Sequence, residues 1–159
     1  MSLQIRAEAL DSAAGSALNH RVQLEYVERY GGPDSTPVDA TEFAPPTGGF
    51  LVGYLGGVPV AMGGVRRHEP GVVEIKRMYV APEVRGQGLA RAMLAALEDL
   101  ARELGARRVV LETGSKQPEA MRLYETSGYE QIDGFGHYRC QPRSLSYSKS
   151  LAGADALSG

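Results

Sequence analysis

EIKRMYVAPEVRGQGLA, Glu74 to Ala90, joins an apolar run to a glycine loop and the loop to a helical pattern. Ile75 to Val80 has the composition of a strand and meets Pro82; Arg85-Gly86-Gln87-Gly88 follows, and a helix begins at Leu89. The first turn of a helix leaves backbone N–H groups without intrahelical partners at the positive end of the helix dipole. Glycines let that backbone approach an anion closely, and Arg85 adds a charge, so the stretch has the makings of a phosphate cradle.

Working outward, the sequence before the cradle reads as a meander. Phe50 to Leu55 is strand-like, Gly56-Gly57 is a hairpin turn, Val58 to Val65 returns, Arg66 to Gly71 is a polar turn, and Val72 to Val80 is the third strand. After it, Leu89, Met93, Leu97, Leu100 and Leu104 make an apolar stripe, with Glu98 and Arg102 expected to pair on the outer side and Gly105 to end the helix. Arg107 to Glu112 is a short buried strand, and a strand–loop–helix–strand unit calls for a parallel crossover. Pro118 opens another helix that stops at Gly128, and Tyr129 to Asp133 and Leu145 to Leu151 close the domain.

At the N-terminal end, Leu3 to Ala7 is a weak first strand. Asp11 or Ser12 caps a helix running to Tyr30, whose apolar face carries Leu18, Val22, Tyr26 and Tyr30. Gly31-Gly32-Pro33 stops it. Pro33 to Gly49 is irregular, with one helical turn near Ala40 to Phe43, and reads either as a substrate lid or as a surface connection. The order is β-α-(α)-β-β-β-α-β-α-β-β: an α/β domain over residues 1–151 with a mixed, mostly antiparallel central sheet flanked by helices, and a flexible tail at 152–159.

Composition limits the functions available. The 159 residues carry 17 basic and 19 acidic side chains, a net charge of −2, so there is no bulk attraction to nucleic acid or anionic membrane, and anion recognition has to be local. Cys140 is the only cysteine, which excludes an intramolecular disulfide and, with three scattered histidines, argues against a metal site. Cys140 reads as a small side chain; Arg139 and Arg143 beside it leave a reactive thiol as the rival reading. No run approaches membrane-spanning length and no signal pattern opens the chain, so a cytoplasmic protein is expected.

Arg85-Gly86-Gln87-Gly88-Leu89-Ala90 matches the Arg/Gln-x-x-Gly-x-Gly/Ala acyl-CoA signature of the GNAT superfamily, after a strand ending Met78-Tyr79-Val80-Ala81-Pro82. Ala120-Met121-Arg122-Leu123-Tyr124-Glu125 through Gly128-Tyr129 is similar to that family's A-x-x-L-Y-x-x-x-G-F/Y run. The chain therefore resembles acetyl-CoA-dependent N-acetyltransferases, best from Gly49 to Tyr129. The resemblance implies that the backbone of Arg85, Gly86, Gln87, Gly88, Leu89 and Ala90 binds the pyrophosphate. It implies that Met78, Tyr79 and Val80 offer backbone groups to the pantetheine arm and acyl carbonyl, on a bulged strand that splays from its neighbour. Gln117 stands where relatives often have a cofactor-contacting Asn.

Tyr124 is the candidate general acid for the leaving thiolate, with core packing as the alternative. Glu74 is the candidate general base, with an ion pair to Arg66 or Arg67 as its alternative; His68 and His137 are further candidates for the base. Tyr26, Tyr30 and Phe43 either line an acceptor pocket or belong to the core. The resemblance implies that the acceptor is a primary amine of a small molecule or peptide. An acidic chain permits a cationic one, whereas Arg66, Arg67, Lys76 and Arg77 suit one bearing a carboxylate. Two rivals are a non-catalytic acyl-CoA-binding regulator and a Rossmann-type nucleotide module; the loop lacks the third glycine of the latter. An exposed closing strand leaves room for a homodimer.

Overall fold

The computed structural model describes residues 2–34, 38–115, 117–135 and 144–151. Among the described residues, seven strands form one sheet in the order β1-β2-β3-β4-β5-β7-β6. They are β1 Gln4–Ala7, β2 Gly48–Leu55, β3 Val58–Glu69, β4 Val72–Val80, β5 Arg108–Gly114, β6 Glu130–Ile132 and β7 Ser144–Ser150. Strands β4 and β5 run parallel; the other neighbouring pairs are antiparallel. The helices are α1 Ala13–Tyr30, α2 Leu89–Glu103 and α3 Pro118–Thr126, with 3-10 turns at Ala40–Phe43 and Pro82–Val84. Among the described residues no helix is long and apolar enough to cross a membrane.

Local signals fix the helix ends. Ser12 caps α1 by accepting a hydrogen bond from the Gly15 N–H at 3.0 Å, and Gly31 closes it in the left-handed region at φ +81°. The expected polar turn at Arg66–Gly71 is shorter than its composition suggests. Strand β3 runs on to Glu69, because Arg66 faces Glu74 in register and their side chains pair, and Gly71 at φ +78° makes the reversal.

Two apolar layers sandwich the sheet. Leu18 and Val22 of α1 pack with Phe50, Val52, Met62 and Tyr79 on one face. Met93, Leu94, Leu97 and Ala101 of α2 pack with Val65, Val73, Ile75 and Val109 on the other. The apolar stripe of α2 is the expected one, but Glu98 is not on the outer side and does not pair with Arg102. It is buried and accepts hydrogen bonds from the Tyr129 hydroxyl at 2.9 Å and Lys149 Nζ at 3.0 Å, while Arg102 pairs with Asp99. The helical period brings position 98 round beside Leu94, Leu97 and Ala101, so the carboxylate takes buried partners from the end of the sheet.

Leu97 is fully buried, and its Cδ1 atom lies 2.6 Å from where a Cβ on Gly63 would sit. Leu97→Ala is expected to cost about 2–5 kcal/mol in denaturant unfolding. Leu24→Ala, at a site 54% exposed on α1, should stay within about 0.5 kcal/mol of the parent.

Candidate active site

The central irregularity lies in β4. Gly64 faces Lys76 and Met62 faces Tyr79, so β4 spends one more residue than β3 over the same span. Arg77 sits within this bulge at φ +60°, the one described non-glycine residue with positive φ. Strict alternation would send Arg77 to the same face as Ile75, toward α2. The bulge instead turns it toward α1, where Nε donates to Asn19 Oδ1 at 2.9 Å and Nη1 contacts Asp34.

The same stretch is where β4 leaves β5. Their pairing runs from Val72 opposite Arg108 to Ile75 opposite Leu111 and then stops, whereas β5 stays paired with β7 to Gly114. Beyond Ile75 the edge of β4 that faces β5 has no strand partner among the described residues, and backbone groups exposed this way are strong donors and acceptors for a ligand. A cleft of about 540 Å³ fills the gap, walled by Ile75–Val80 and by Leu111–Gly114.

At one end of the cleft is the glycine loop. Gly86 and Gly88 adopt φ +83° and +79°, conformations that side chains resist, and Gly88 caps α2 with no side-chain hydrogen bond. The amides opening this 15-residue helix are left for a ligand, and Gly86, Gly88, Leu89 and Ala90 all line the cleft. Gln87 is not part of the lining and is exposed. The Arg85 guanidinium is committed within the protein: Nε donates to the Val80 carbonyl at 2.9 Å and Nη2 to Glu25 at 2.8 Å. Its charge thus ties the loop to α1 rather than standing free for an anion.

Tyr124 of α3 lies against the cleft, its ring 5.6 Å from that of Tyr129 and 5.9 Å from that of Tyr147. Its hydroxyl makes no hydrogen bond to a described residue, and burial pushes the phenol up, so it is protonated at neutral pH. Tyr26 and Tyr30 also line the cleft, and burial, with Asp34 nearby, raises the Tyr26 phenol. Gln117 Nε2 donates to the Tyr30 hydroxyl at 3.3 Å. That hydroxyl lies so close to Gly114 that a Cβ there would collide with it at 1.7 Å. The end of α1 therefore closes over the tip of β5.

Two expected site residues, Glu74 and Phe43, are not brought into the cleft, and the expectation for Gln87 concerns its backbone alone. Glu74 is buried and paired with Arg66 at 3.0 Å, the ion-pair alternative, because it precedes the bulge and faces β3's arginine. Phe43 belongs to the core: it packs edge-on against Phe50 at 6.4 Å, in room left by Gly64. The Gln87 side chain is outside the lining. His68 stands exposed near the end of β3 beside Phe135, while His137 and Cys140 lie outside the described residues. Glu25, Asp34, Glu112 and Thr113 line the cleft and were missed. The alternation of β5 was the signal available for Glu112. Asp34, after Gly-Gly-Pro, gave none.

The fold and cleft define a class of protein. The model of the Acetyltransferase (GNAT) family matches residues 18–129, and the chain belongs to that family. It is 36% identical over 135 residues to the IAA acetyltransferase of Azospirillum brasilense, covering 80% of this chain and 88% of that one. A provisionally assigned acyl-CoA N-acyltransferase of Klebsiella pneumoniae superposes with a TM-score of 0.81 at 31% identity, over 94% of this chain and 97% of that one. A GNAT acetyltransferase of Elizabethkingia anophelis, solved with acetyl-CoA bound, shares the fold at a TM-score of 0.69 and 15% identity, over 94% and 98% of the two chains.

Ahead of the loop, Arg21 grips Glu83 with two hydrogen bonds, of 2.7 and 3.0 Å, and holds its carboxyl down at about 2. The folded value lies below the ordinary 4.5, so this contribution to stability is present above pH 4.5 and is lost as pH falls toward 2. An NMR titration should place the Glu83 midpoint near 2, and Arg21→Gln should return it toward 4.5. A midpoint unmoved by that substitution would remove the pair from the anchoring of α1.

Proposed function

We propose that the protein moves the acetyl group of acetyl-CoA to a primary amine of a small molecule or peptide, by direct attack in a ternary complex. The observation that carries this reading is the meeting, in one cleft, of the uncapped α2 N-terminus, the unpaired edge of β4 and the Tyr124 hydroxyl. These residues fit the co-substrate. The glycine loop and the opening amides of α2 would receive the pyrophosphate, and the edge of β4 after Ile75 would take the pantetheine arm. Backbone N–H groups of Met78 to Val80 would face the thioester carbonyl and stabilise the charge that develops on its oxygen.

The amine must first lose its ammonium proton, since alkyl ammonium groups titrate near ~10. With Glu74 committed to Arg66, the base we assign is Glu112, on the β5 side of the splay. The amine nitrogen then bonds to the acyl carbon, the C–S bond breaks, the sulfur gains the Tyr124 proton, and the second proton shed by the nitrogen restores the Tyr124 phenol. Burial keeps the phenol protonated and ready to donate, and it raises the proton affinity of a thiolate released beside it in the same direction.

Calorimetry with acetyl-CoA, paired with a free-thiol assay across an amine panel, tests the reading. Binding with thiol release supports it; binding without release from any amine supports a regulator, and preference for NAD or ATP contradicts it. Tyr124→Phe should lower kcat by about 10²–10⁴-fold while acetyl-CoA affinity stays within a few-fold. Collapse of affinity in that variant would make Tyr124 a packing residue. Glu112→Gln should lower kcat/KM most at low pH, where the amine is most protonated; an unchanged profile would exclude Glu112 as the base.

A further inference from the structure

We infer that Glu98, acting through Tyr129, is a positioning residue for Tyr124 that holds its phenol where it protonates the departing sulfur. The inference rests on the acetyl-transfer reading and deepens it. The Tyr124 hydroxyl makes no hydrogen bond to a described residue, so among the described residues its place in the cleft is set from behind, through the ring. Tyr129 supports that ring at two points. Gly128 at φ +92° turns the chain after α3, the Tyr129 N–H donates to the Tyr124 carbonyl at 3.0 Å, and the two rings meet edge-on at 5.6 Å. Edge-to-face pairs are directional, so a ring fixed on one side orients the ring on the other.

Tyr129 is in turn held by a carboxylate that α2 buries. Glu98 is 7% exposed, beside Leu94, Leu97 and Ala101. Both of its oxygens are used: Oε2 accepts from the Tyr129 hydroxyl at 2.9 Å and Oε1 from Lys149 Nζ at 3.0 Å. Lys149 Nζ also stands 5.6 Å from the centre of the Tyr129 ring, so this phenol is fixed at its oxygen and at its face. Taking an ion pair out of water seldom adds stability over apolar residues of the same volume. What a buried carboxylate with both oxygens engaged adds is a defined direction, and here it runs from α2 through Tyr129 to the ring of Tyr124. The other ring against Tyr124, that of Tyr147, is anchored differently: its hydroxyl donates at 3.0 Å to Glu125, an exposed side chain. The Glu98–Tyr129 support is the one whose carboxylate is buried, and a hydrogen bond to a carboxylate held out of water is the stronger constraint.

Thiol release from acetyl-CoA is followed with ethanolamine, 2-phenylethylamine, putrescine and phenylalanine as amines, and the one turned over fastest is carried into the variants. Tyr129→Phe deletes one oxygen and keeps the ring. It is expected to lower kcat about tenfold, while KM for both substrates and the calorimetric affinity for acetyl-CoA stay within about twofold. A double-mutant cycle separates positioning from general loosening: in Tyr124→Phe the same substitution should have no further effect on kcat, because no phenol remains to be placed. Glu98→Gln, which keeps an acceptor oxygen for Tyr129, should retain most of kcat, whereas Glu98→Leu should match Tyr129→Phe. An unchanged kcat in Tyr129→Phe or in a folded Glu98→Leu overturns the inference while leaving acetyl transfer standing. So does a loss that recurs in full in Tyr124→Phe, or one matched by an equal loss of acetyl-CoA affinity. Undiminished kcat in Tyr124→Phe removes the acid, and the inference with it. No thiol release with any of these amines, with acetyl-CoA bound in calorimetry, overturns the transfer reading and the inference together. Should Glu98→Leu not fold, the Tyr129→Phe cycle decides.

Discussion

The structure depends on one backbone constraint: β4 cannot stay paired on both edges. The single extra residue in its register against β3, with Arg77 in the left-handed region, is matched by the loss of pairing with β5 after Ile75. A bulky residue at positive φ costs on the order of 1–3 kcal/mol and persists only where its surroundings compensate. Here the compensation is polar and specific, from Asn19 on α1 and Asp34 beyond it. Remove the bulge and β4 would continue alongside β5, which would close the cleft and return Arg77 to the apolar α2 layer.

A second group of interactions holds the walls around that opening. Arg85 joins the glycine loop to Glu25, Arg29 joins α1 to Glu119 at the start of α3, and Arg21 joins α1 to Glu83. Most of these pairs are part-exposed, and individually such pairs add little to stability. Their effect is positional: each runs from α1 to a segment bordering the cleft. Tyr30 completes the arrangement by lying across Gly114, where a side chain on β5 would exclude it. Opposite, the buried Glu98 fixes Tyr129 through a hydrogen bond, and Tyr129 packs against the ring of Tyr124. A helix side chain on the far face of the sheet thus bears on the orientation of the candidate acid.

Much of the fold was legible in the sequence because its signals are local. Gly31, Gly56-Gly57 and Gly105 mark reversals by composition, the stripe from Leu89 to Leu104 has a helical period, and the glycine loop after β4 identifies the cofactor class. What the sequence left open depends on facing, which a break in the pleat decides. Glu74 and Lys76 keep one face while Arg77 is turned to join them, and no alternation rule anticipates where the extra residue falls. For Phe43, inside the irregular Pro33 to Gly49 segment, the sequence leaves pocket and core open; the absence of a side chain at Gly64, distant in sequence, is what makes room for it in the core. Glu98 looked solvent-facing because its partners Tyr129 and Lys149 are contributed by the chain end.

The central claim is that the opening between β4 and β5 is where acyl-CoA lies. Amide hydrogen exchange measured with and without acetyl-CoA addresses it directly, because the claim concerns backbone groups. The account predicts slowed exchange in Met78–Val80 and Gly86–Ala90, with the outer strands β1 and β2 unchanged. Binding of acetyl-CoA that leaves both of those segments exchanging at their free rates would contradict it.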